Sequence, residues 1–295
     1  MAHEQLIRVA ALTGGRNSPA ARFRVRQYIP RLEGQGLHVR EYIPFFYENC
    51  GWPSPFKAAS HLPGLLGSRR ADLTWIGREL VRGYETFERL LKRPRVLDVD
   101  DAIWLDWPLG RYALPHIARG MDAIVAGNAF LAEWFSRYCG NITVLPTALD
   151  LSRYAPRPKP PAPTDRFTIG WTGAADSFPF LERIQEALLR FLDGHPDSEV
   201  LIVAERPWRT TAIPAGRLRF VRWNERIEVD VLHDMTVGIM PLPDSEWARG
   251  KCSFKMLQYM AVGLPVVVSP VGMNAEVLAK GDIGFGVTTM DDWYQ

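Results

Sequence analysis

Residues 238–286 have the sequence GIMPLPDSEWARGKCSFKMLQYMAVGLPVVVSPVGMNAEVLAKGDIGFG. The pattern predicts, in order, a strand, a loop, a helix, a second strand, a glycine turn and a second helix. Residues 264–269 (LPVVVS) form a continuous apolar run, which is typical of a strand buried in a parallel sheet. Because ligands of parallel α/β sheets bind beyond the carboxyl ends of the strands, the loops here are candidate ligand contacts.

The helix in this stretch combines an apolar face with a basic one. Apolar residues recur at helical spacing between positions 254 and 261, with Ser253 as the expected N-cap and Gly263 at the C-terminal end. Lys251, Lys255 and Gln258 fall at i, i+4 and i+7 on another face. Two ammonium groups beside a helix N-terminus would bind an anion such as a nucleotide diphosphate. The alternative is a solvated basic face.

The composition describes a globular protein. The chain has 295 residues, 47% hydrophobic and 23% charged, which suffices for two α/β domains. It has no apolar run of the roughly 18 residues needed to cross a bilayer. The first apolar segment is predicted to be a buried strand, so we expect a cytoplasmic protein. A net charge of +2 is too small to indicate nucleic-acid binding. The spacing of Cys50, Cys139 and Cys252 indicates neither a disulfide framework nor a zinc site, so reduced thiols are expected.

A proline-rich segment divides the chain near its middle. Residues 155–166 (APRPKPPAPTDR) contain five prolines, which favours an extended linker between domains at 1–154 and 167–295. Strands alternate with helices on both sides, which predicts two doubly wound domains. The strands are expected at 6–12, 39–43, 71–76, 95–99, 123–126, 142–145, 167–170, 200–204, 219–221 and 237–241, and the helices at 20–33, 84–91, 128–138, 178–192 and 227–233.

Two groups in the first half are candidate site residues. Gly14 and Gly15 follow the first strand and permit close approach of a phosphate or sugar, although a plain turn is an equal alternative. Asp98, Asp100 and Asp101 come at the end of the apolar run 95–99. Such carboxylates could hold a sugar hydroxyl, steer a general base or bind a divalent cation. The alternative is that one of them caps the next element.

Further candidates lie in the second half. Trp171 and Gly173 follow the first strand there, so the segment GWTGAADS could present backbone N–H groups to a ligand. Gly272 and Glu276 follow the LPVVVS strand. Glu276 could supply a carboxylate, or, with Asn274 as N-cap, it could merely complement the dipole of the next helix.

Four segments together resemble the retaining glycosyltransferases of family 4, particularly their divergent bacterial members. They are RFRVRQYIPRLEGQGLHV, RVLDVDDAIW, DAIVAGNAFLAEWFSRYCGNITVLPTALDLSRY and RGKCSFKMLQYMAVGLPVVVSPVGMNAEV. The resemblance covers most of the chain and implies the GT-B fold, two facing Rossmann-like domains. The first would be the acceptor-side domain and the second the nucleotide-sugar-binding domain.

The resemblance implies an activity: transfer of a hexose from a nucleotide-diphosphate sugar to an acceptor hydroxyl with retention, in glycan, polysaccharide or glycolipid synthesis. It implies no cofactor and no metal. The Gly14–Gly15 loop would face the donor diphosphate and the acceptor, Asp100 and Asp101 would act in catalysis, and the donor would contact Trp171, Gly173, Gln258, Gly272 and Glu276. Lys251 and Lys255 would neutralise the leaving diphosphate, with front-face departure.

The chain departs from the family pattern at several positions. The family's histidine near Asp100 is absent, as are an arginine and a lysine after the first strand of the second half. The family's paired glutamates are replaced by Gly250 and Gln258. These departures leave two alternatives, a catalytically silent scaffold that binds nucleotide or glycan, and a sugar-nucleotide epimerase or hydrolase of the same fold.

Two expectations concern the periphery. Residues 42–66 are aromatic and proline-rich, mostly loop with a short helix, and Arg69 and Arg70 follow them. This segment is expected on the acceptor side, where it would favour a glycan or lipid-linked acceptor and peripheral contact with the inner face of the membrane. Ordinary core packing is the alternative. Because the family continues with a further helical segment, the second domain is expected to be truncated at its end.

Overall fold

The computed structural model describes residues 6–45, 54–156 and 166–295. By its internal contacts the chain divides into two compact units. Unit 1 comprises Met1–Ala148 and Gly250–Cys252, and unit 2 comprises Leu149–Arg249 and Ser253–Gln295. The predicted linker at 155–166 lies, except for 155, 156 and 166, outside the described residues, so the domain boundaries stay a prediction.

Unit 1 is built on a six-stranded parallel sheet in the order β2-β1-β3-β4-β5-β6. Its strands are β1 (Ile7–Leu12), β2 (Leu37–Tyr42), β3 (Leu73–Gly77), β4 (Arg95–Val99), β5 (Ala123–Ala126) and β6 (Ile142–Val144). Val9 pairs with both Val39 and Leu73 and is 3% exposed, because β1 is an interior strand of a parallel sheet. Strand β2 lies on one side of β1 and β3 on the other, so the order of the strands reverses between β1 and β3. At such a switch point a doubly wound sheet offers a ligand crevice.

The helices of unit 1 are short. They are α1 (Ile29–Glu33), α2 (Ser54–Ala59), α3 (Leu62–Ser68), α4 (Gly110–Arg119) and α5 (Ala129–Ser136). The helix predicted at 20–33 is divided into a π-helical turn at Ala21–Val25, a 3₁₀ turn at Arg26–Tyr28 and α1. Helices α2 and α3 occupy much of the segment predicted to be loop, while residues 46–53 lie outside the described residues.

Unit 1 departs from the predicted helices in two places. The helix predicted at 84–91 is only a 3₁₀ turn, Glu88–Leu90. The reason is local: the buried Glu88 carboxylate accepts hydrogen bonds from the backbone N–H groups of Leu80 and Thr86, which holds the chain in a turn. Helix α4 was not predicted, although it is ten residues long, because Pro115 inside it weakens the sequence signal.

Unit 2 contains a second six-stranded parallel sheet, in the order β12-β11-β10-β7-β8-β9. Its strands are β7 (Phe167–Thr172), β8 (Ser198–Ala204), β9 (Leu218–Arg222), β10 (Val237–Met240), β11 (Val266–Val268) and β12 (Gly284–Gly286). Its helices are α6 (Phe178–Glu182), α7 (Gln185–Gly194), α8 (Glu246–Arg249), α9 (Phe254–Ala261), α10 (Met273–Leu278) and α11 (Met290–Tyr294). The helix predicted at 227–233 is a 3₁₀ turn at Asp230–Asp234.

The switch point of unit 2 lies between β7 and β10, and Tyr259 of α9 joins the two strands. Its hydroxyl accepts a hydrogen bond from Thr172 N at 2.9 Å and donates to Ile239 O at 3.4 Å. A Cβ at Gly238 would lie 2.3 Å from Tyr259 Cγ, so glycine allows the ring to rest on β10. Burial raises the pKa of the Tyr259 hydroxyl, which therefore stays protonated. None of the helices in the described segments has the length and apolar character required to cross a bilayer.

Candidate functional site

A buried ion pair supports the carboxyl end of β4 in unit 1. Arg24 is 5% exposed, and its Nε donates to the Asp98 carboxylate. Its Nη1 donates to Thr147 Oγ1 at 2.9 Å and to Leu145 O at 3.0 Å. Burial lowers the pKa of Arg24, but the attraction of Asp98 outweighs this effect and the pKa is raised, so the guanidinium stays charged. Arg24 thus links β4 to the segment after β6 inside unit 1.

Asp100 follows β4 directly and is half-buried. Burial, and after it repulsion from Asp101, raises the pKa of Asp100 to about 6. A carboxyl group with this pKa changes protonation state near neutral pH, so it can accept or return a proton under physiological conditions.

Asp101 is paired with Lys251. The Lys251 Nζ lies 2.8 Å from Asp101 Oδ1, and the two side chains are 25% and 27% exposed. Lys251 precedes α9, which begins at Phe254, so the predicted shared helix face with Lys255 is wrong. Instead, the segment Gly250–Cys252 belongs to unit 1. The structure therefore brings together a predicted catalytic carboxylate and a predicted phosphate-binding ammonium group, and each offsets the charge of the other.

Asn128 holds this segment in place. Its Nδ2 donates to Gly250 O at 3.2 Å and to Lys251 O at 3.1 Å. Its Oδ1 accepts from Leu131 N at 2.9 Å, which caps α5. Sequence reasoning did not single out Asn128, although an Asn before an apolar helix is a recognisable N-cap.

Gly14 and Gly15 lie at the carboxyl end of β1, at the switch point of unit 1. Arg26 donates to Arg16 O at 2.7 Å and to Gly15 O at 3.3 Å, and it pairs with Glu41 at 2.7 Å. The loop thus points two carbonyl oxygens at an arginine that is itself neutralised by a carboxylate. Its shape is set within unit 1 by these contacts.

Two predicted donor contacts in unit 2 are used internally. Trp171 is 4% exposed and packs in the core against Phe178, with ring centroids 5.6 Å apart. Gly173 N donates to Val203 O at 3.1 Å, and Ala175 N donates to the Glu205 carboxylate at 2.9 Å. The expectation that these N–H groups point to a ligand is wrong, because their hydrogen bonds are already made.

Helix α9 presents Lys255 as its second residue. Lys255 is half-buried, with its Nζ 5.8 Å from the ring centroid of Phe254. Ser253 is not a side-chain N-cap as predicted: its φ is +51° and its hydroxyl is used elsewhere. Gln258 is 3% exposed and its Nε2 donates to Tyr154 Oη at 2.8 Å. Gln258 therefore hydrogen-bonds inside unit 2, and its contact with a donor stays a prediction.

The loop between β11 and α10 is held by a buried neutral network. Asn274 is fully buried: its Oδ1 accepts from Ser253 Oγ at 2.6 Å, and its Nδ2 donates to Ser269 O at 3.0 Å. Asn274 is the second helical residue, so its predicted N-cap role is wrong. Gly272 holds that cap position at φ +55°, where a Cβ would lie 2.9 Å from Arg249 O, so only glycine is accommodated. Glu276 is exposed on α10.

A cavity of about 370 Å³ opens in unit 2 beside the carboxyl ends of β10, β11 and β12. Pro241, Ser269 and Val287, each the first residue after one of these strands, line it. Arg183 is its basic residue. None of the predicted catalytic or donor-binding residues lines this cavity. Among the residues that the structure describes, no group of three or more His, Cys, Asp or Glu side chains is placed to hold a metal ion.

Comparisons with known proteins agree with this architecture. Residues 168–294 match the model of the family described as glycosyl transferases group 1. An E. coli structure described as trehalose-6-phosphate bound with UDP-2-fluoro glucose is similar, with 12% identity and a TM-score of 0.62 over 97% of this chain and 89% of that one. The two units have the GT-B fold. The findings support a GT-B glycosyltransferase.

Two further solved structures are similar. A UDP-forming α,α-trehalose-phosphate synthase from Burkholderia xenovorans has 13% identity and a TM-score of 0.54, over 81% of this chain and 68% of that one. S. aureus MnaA in complex with UDP has 12% identity and a TM-score of 0.61, over 98% of this chain and 86% of that one. No curated protein matches the chain in sequence.

Proposed function

We propose that the protein is a retaining glycosyltransferase that transfers a hexose from a nucleotide-diphosphate sugar to an acceptor hydroxyl in glycan, polysaccharide or glycolipid synthesis. One observation carries the proposal: the segment that matches the group 1 glycosyl transferases includes α9, with Lys255 in its first turn beside the switch point of unit 2. Retention and hexose transfer rest on the family 4 resemblance.

Unit 2 is the donor-binding unit in this proposal. The dipole of α9 and the positive charge of Lys255 in its first turn both favour an anion at this helix end. A diphosphate gains negative charge as the sugar leaves, so groups preorganised to neutralise it stabilise the transition state. Two of the similar structures hold UDP-2-fluoro glucose and UDP.

Unit 1 carries the acceptor in this proposal, with Asp100 and Asp101 as its polar contacts and the Gly14–Gly15 loop at its switch point. Reaction proceeds at one face of the sugar: the bond from the anomeric carbon to the diphosphate oxygen breaks, and the bond to the acceptor oxygen forms on the same face. The acceptor proton passes to the leaving phosphate oxygen, so no protein nucleophile is required.

The acceptor is proposed to be a glycan or a lipid-linked molecule, with the protein at the inner face of the membrane. Three large apolar side chains on or beside α2 and α3 support this idea, since Phe56, Leu62 and Leu66 are 52%, 43% and 59% exposed. Flotation with anionic liposomes tests it, and recovery of all the protein in the lipid-free fraction contradicts the membrane part alone.

The test of the activity is product analysis by mass spectrometry and NMR after incubation with UDP-, GDP- and dTDP-sugars. Without an added acceptor the expected product is the free sugar from slow donor hydrolysis, and with an acceptor present it is a glycoside that retains the α or β configuration of the donor. Lys255→Ala should lower donor affinity by at least about tenfold, because hydrogen bonds to charged groups contribute about 1.5–3 kcal/mol. Lys280→Ala, an exposed lysine of the same unit, is the matched control.

A second candidate function is a catalytically silent scaffold that binds nucleotide. The buried Gln258, where the family has a carboxylate, favours it. Nucleotide-dependent thermal stabilisation without any turnover would identify this scaffold. An epimerised sugar nucleotide as product would identify an epimerase, and unchanged nucleotide affinity in Lys255→Ala would contradict the donor assignment.

A further inference from the structure

Unit 1 contains a cavity of about 600 Å³ over the β1–β2 part of its sheet. It lies against the first half of β1, along β2 from His38 to Tyr42 and against the turn that leads into β3, with Arg8 and Ala71 among its lining residues. Gly14 lies six residues along the chain from Arg8, which in a strand corresponds to roughly 20 Å. The cavity is therefore distinct from the site described above.

The cavity exists because α3 covers only half of this sheet face. Arg8, Ala10 and Leu12 of β1 share the face and pair in register with His38, Arg40 and Tyr42 of β2. Helix α3 packs tightly on the last pair only: added Cβ atoms at Gly64 and Gly67 would lie 2.8 Å from Leu12 Cδ2 and 2.1 Å from Tyr42 Cζ. The chain then turns back at Arg69 and Arg70, so Ala10, a small residue, is left as the floor of an open space.

Basic side chains surround this floor. Arg8, His38, Arg40, Arg69 and Arg70 line the cavity, whereas none of the described Asp or Glu residues does. Arg8 is neutralised by Asp72, with two hydrogen bonds of 2.9 and 3.0 Å, and Arg40 lies over the Tyr42 ring, 5.3 Å from its centroid.

The guanidinium groups of Arg40, Arg69 and Arg70 have no carboxylate partner among the described residues. All three side chains are exposed. Three positive charges that no described carboxylate neutralises therefore border one concave surface.

The remaining lining is apolar. Pro63, Leu66 and Ala71 contribute it, beside the alanine floor. A volume of about 600 Å³ is in the range of small-molecule sites. Arginine forks match phosphate oxygens in geometry as well as charge.

We propose that this cavity is a second binding site of the protein, for a small ligand that carries a phosphate or diphosphate group on a largely apolar or neutral body. Arg69 and Arg70 hold the phosphate from the turn before β3, and Arg40, oriented by Tyr42, holds it from β2. The site does not depend on the proposed glycosyl transfer, because none of the residues assigned to catalysis or donor binding lines it; Leu66 is the one side chain that it shares with the proposed acceptor surface.

Isothermal titration of the whole chain with inorganic pyrophosphate, in about 0.15 M salt, tests the proposal. The proposed donor site is unchanged in every variant compared, so a loss of binding in one of them reports the cavity. The double variant Arg69→Ala/Arg70→Ala should bind pyrophosphate at least about tenfold more weakly than the wild type. Arg31→Ala/Arg137→Ala removes the same charge from exposed positions of the same unit and should bind as the wild type does.

Each other outcome overturns the proposal. Absence of pyrophosphate binding to the wild type would show that the cavity does not bind the phosphate group. An equal loss in both double variants would show a general charge effect. Binding to phosphatidylglycerol vesicles that needs Arg69 and Arg70, without binding of pyrophosphate, would assign the surface to a lipid bilayer instead. If the first double variant does not fold, Arg40→Ala provides the same comparison, with an expected loss of several-fold.

Discussion

The two sheets are alike in strand count and direction, yet the loops at their carboxyl edges are held by different chemistry. In unit 1 the loops are tied by charged pairs, Arg24 with Asp98, Arg26 with Glu41 and Lys251 with Asp101. In unit 2 the loop between β11 and α10 and the end of β7 are tied by neutral groups, the Asn274 network and the Tyr259 hydroxyl, while the segment after β10 carries one charged pair, Asp244 with Arg249.

The difference has a consequence for ligands. Where the supporting groups are charged, the charge is largely cancelled within the protein, and a ligand meets a nearly neutral edge. Where they are neutral, as around Asn274, the loop is fixed without a charged pair, and the dipole of α9 favours an anion at its N-terminus. This difference favours the neutral acceptor hydroxyl at unit 1 and the diphosphate at unit 2.

The largest expected effect is on the buried ion pair of unit 1. Arg24→Ala leaves the Asp98 carboxylate buried without its partner, which should lower the free energy of unfolding by about 3–5 kcal/mol. Urea unfolding followed by circular dichroism measures it. Arg93→Ala, which breaks an exposed pair with Asp122 in the same unit, should cause little change. A loss at Arg24 as small as that at Arg93 would remove the contrast between the units.

The corresponding change in unit 2 is Asn274→Ala. It leaves Ser253 Oγ and Ser269 O without their partner, and the expected loss in the free energy of unfolding is about 1–3 kcal/mol. Asn224→Ala, at an exposed turn where water can replace the amide, should lose less. If Asn274→Ala lowers the free energy of unfolding as much as Arg24→Ala does, the neutral network contributes as much to stability as the buried ion pair, and the contrast between the units is lost.

The two lysines should separate in a binding measurement. Lys255→Ala is expected to weaken nucleotide-diphosphate binding by at least about tenfold. Lys251→Ala should weaken it less, because the ammonium of Lys251 is already offset by Asp101 in unit 1. Titration of both variants with UDP, after each is shown to melt like the wild type, decides the point. Equal losses would restore the sequence-based prediction that both lysines bind the donor.

The smallest expected effect is on the pH dependence of stability through Asp100. Its pKa in the folded protein is about 6, against about 3.9 in an unfolded chain. Between pH about 4 and about 6 the folded state therefore binds more protons, and the contribution of Asp100 to the free energy of unfolding falls as the pH rises.

Asp100→Asn removes this ionisation. At pH 7.5 its Tm should be a few degrees above that of the wild type, whereas at pH 4 the two should melt together. Scanning calorimetry at both pH values checks this expectation, with the exposed Asp193→Asn as control. A variant that is less stable at pH 7.5 would mean that the ionised carboxylate is favoured in the fold.

Much of the fold could be predicted from the sequence because strands carry a local signal. The strands predicted at 95–99 and 123–126 have the observed bounds, and the LPVVVS run contains β11. Helices were harder to predict where a proline lies inside them or where a side chain competes for the backbone hydrogen bonds. Pro115 obscured α4, and the buried Glu88 carboxylate turned a predicted helix into a 3₁₀ turn, since hydrogen bonds to side chains compete with helical ones.

The candidate site was less predictable for a related reason. Lys251 and Lys255 are four residues apart, which places them on one helix face only if both are helical. The helix starts between them, at Phe254, and the chain that carries Lys251 is held in unit 1 by Asn128. Gln258 likewise has a polar side chain at a helical spacing, yet it is buried against Tyr154.

The sequence by itself determined the alternation of strands and helices, the parallel α/β class and the glycines that close approach requires, because these depend on residues near one another in the chain. Only the tertiary structure decided which charges meet. Arg24 lies 74 residues from Asp98, and Lys251 lies 150 residues from Asp101. Burial and contacts between residues so far apart in the chain set the pKa of Asp100 and pair Lys251 with Asp101. A local sequence pattern does not contain this information.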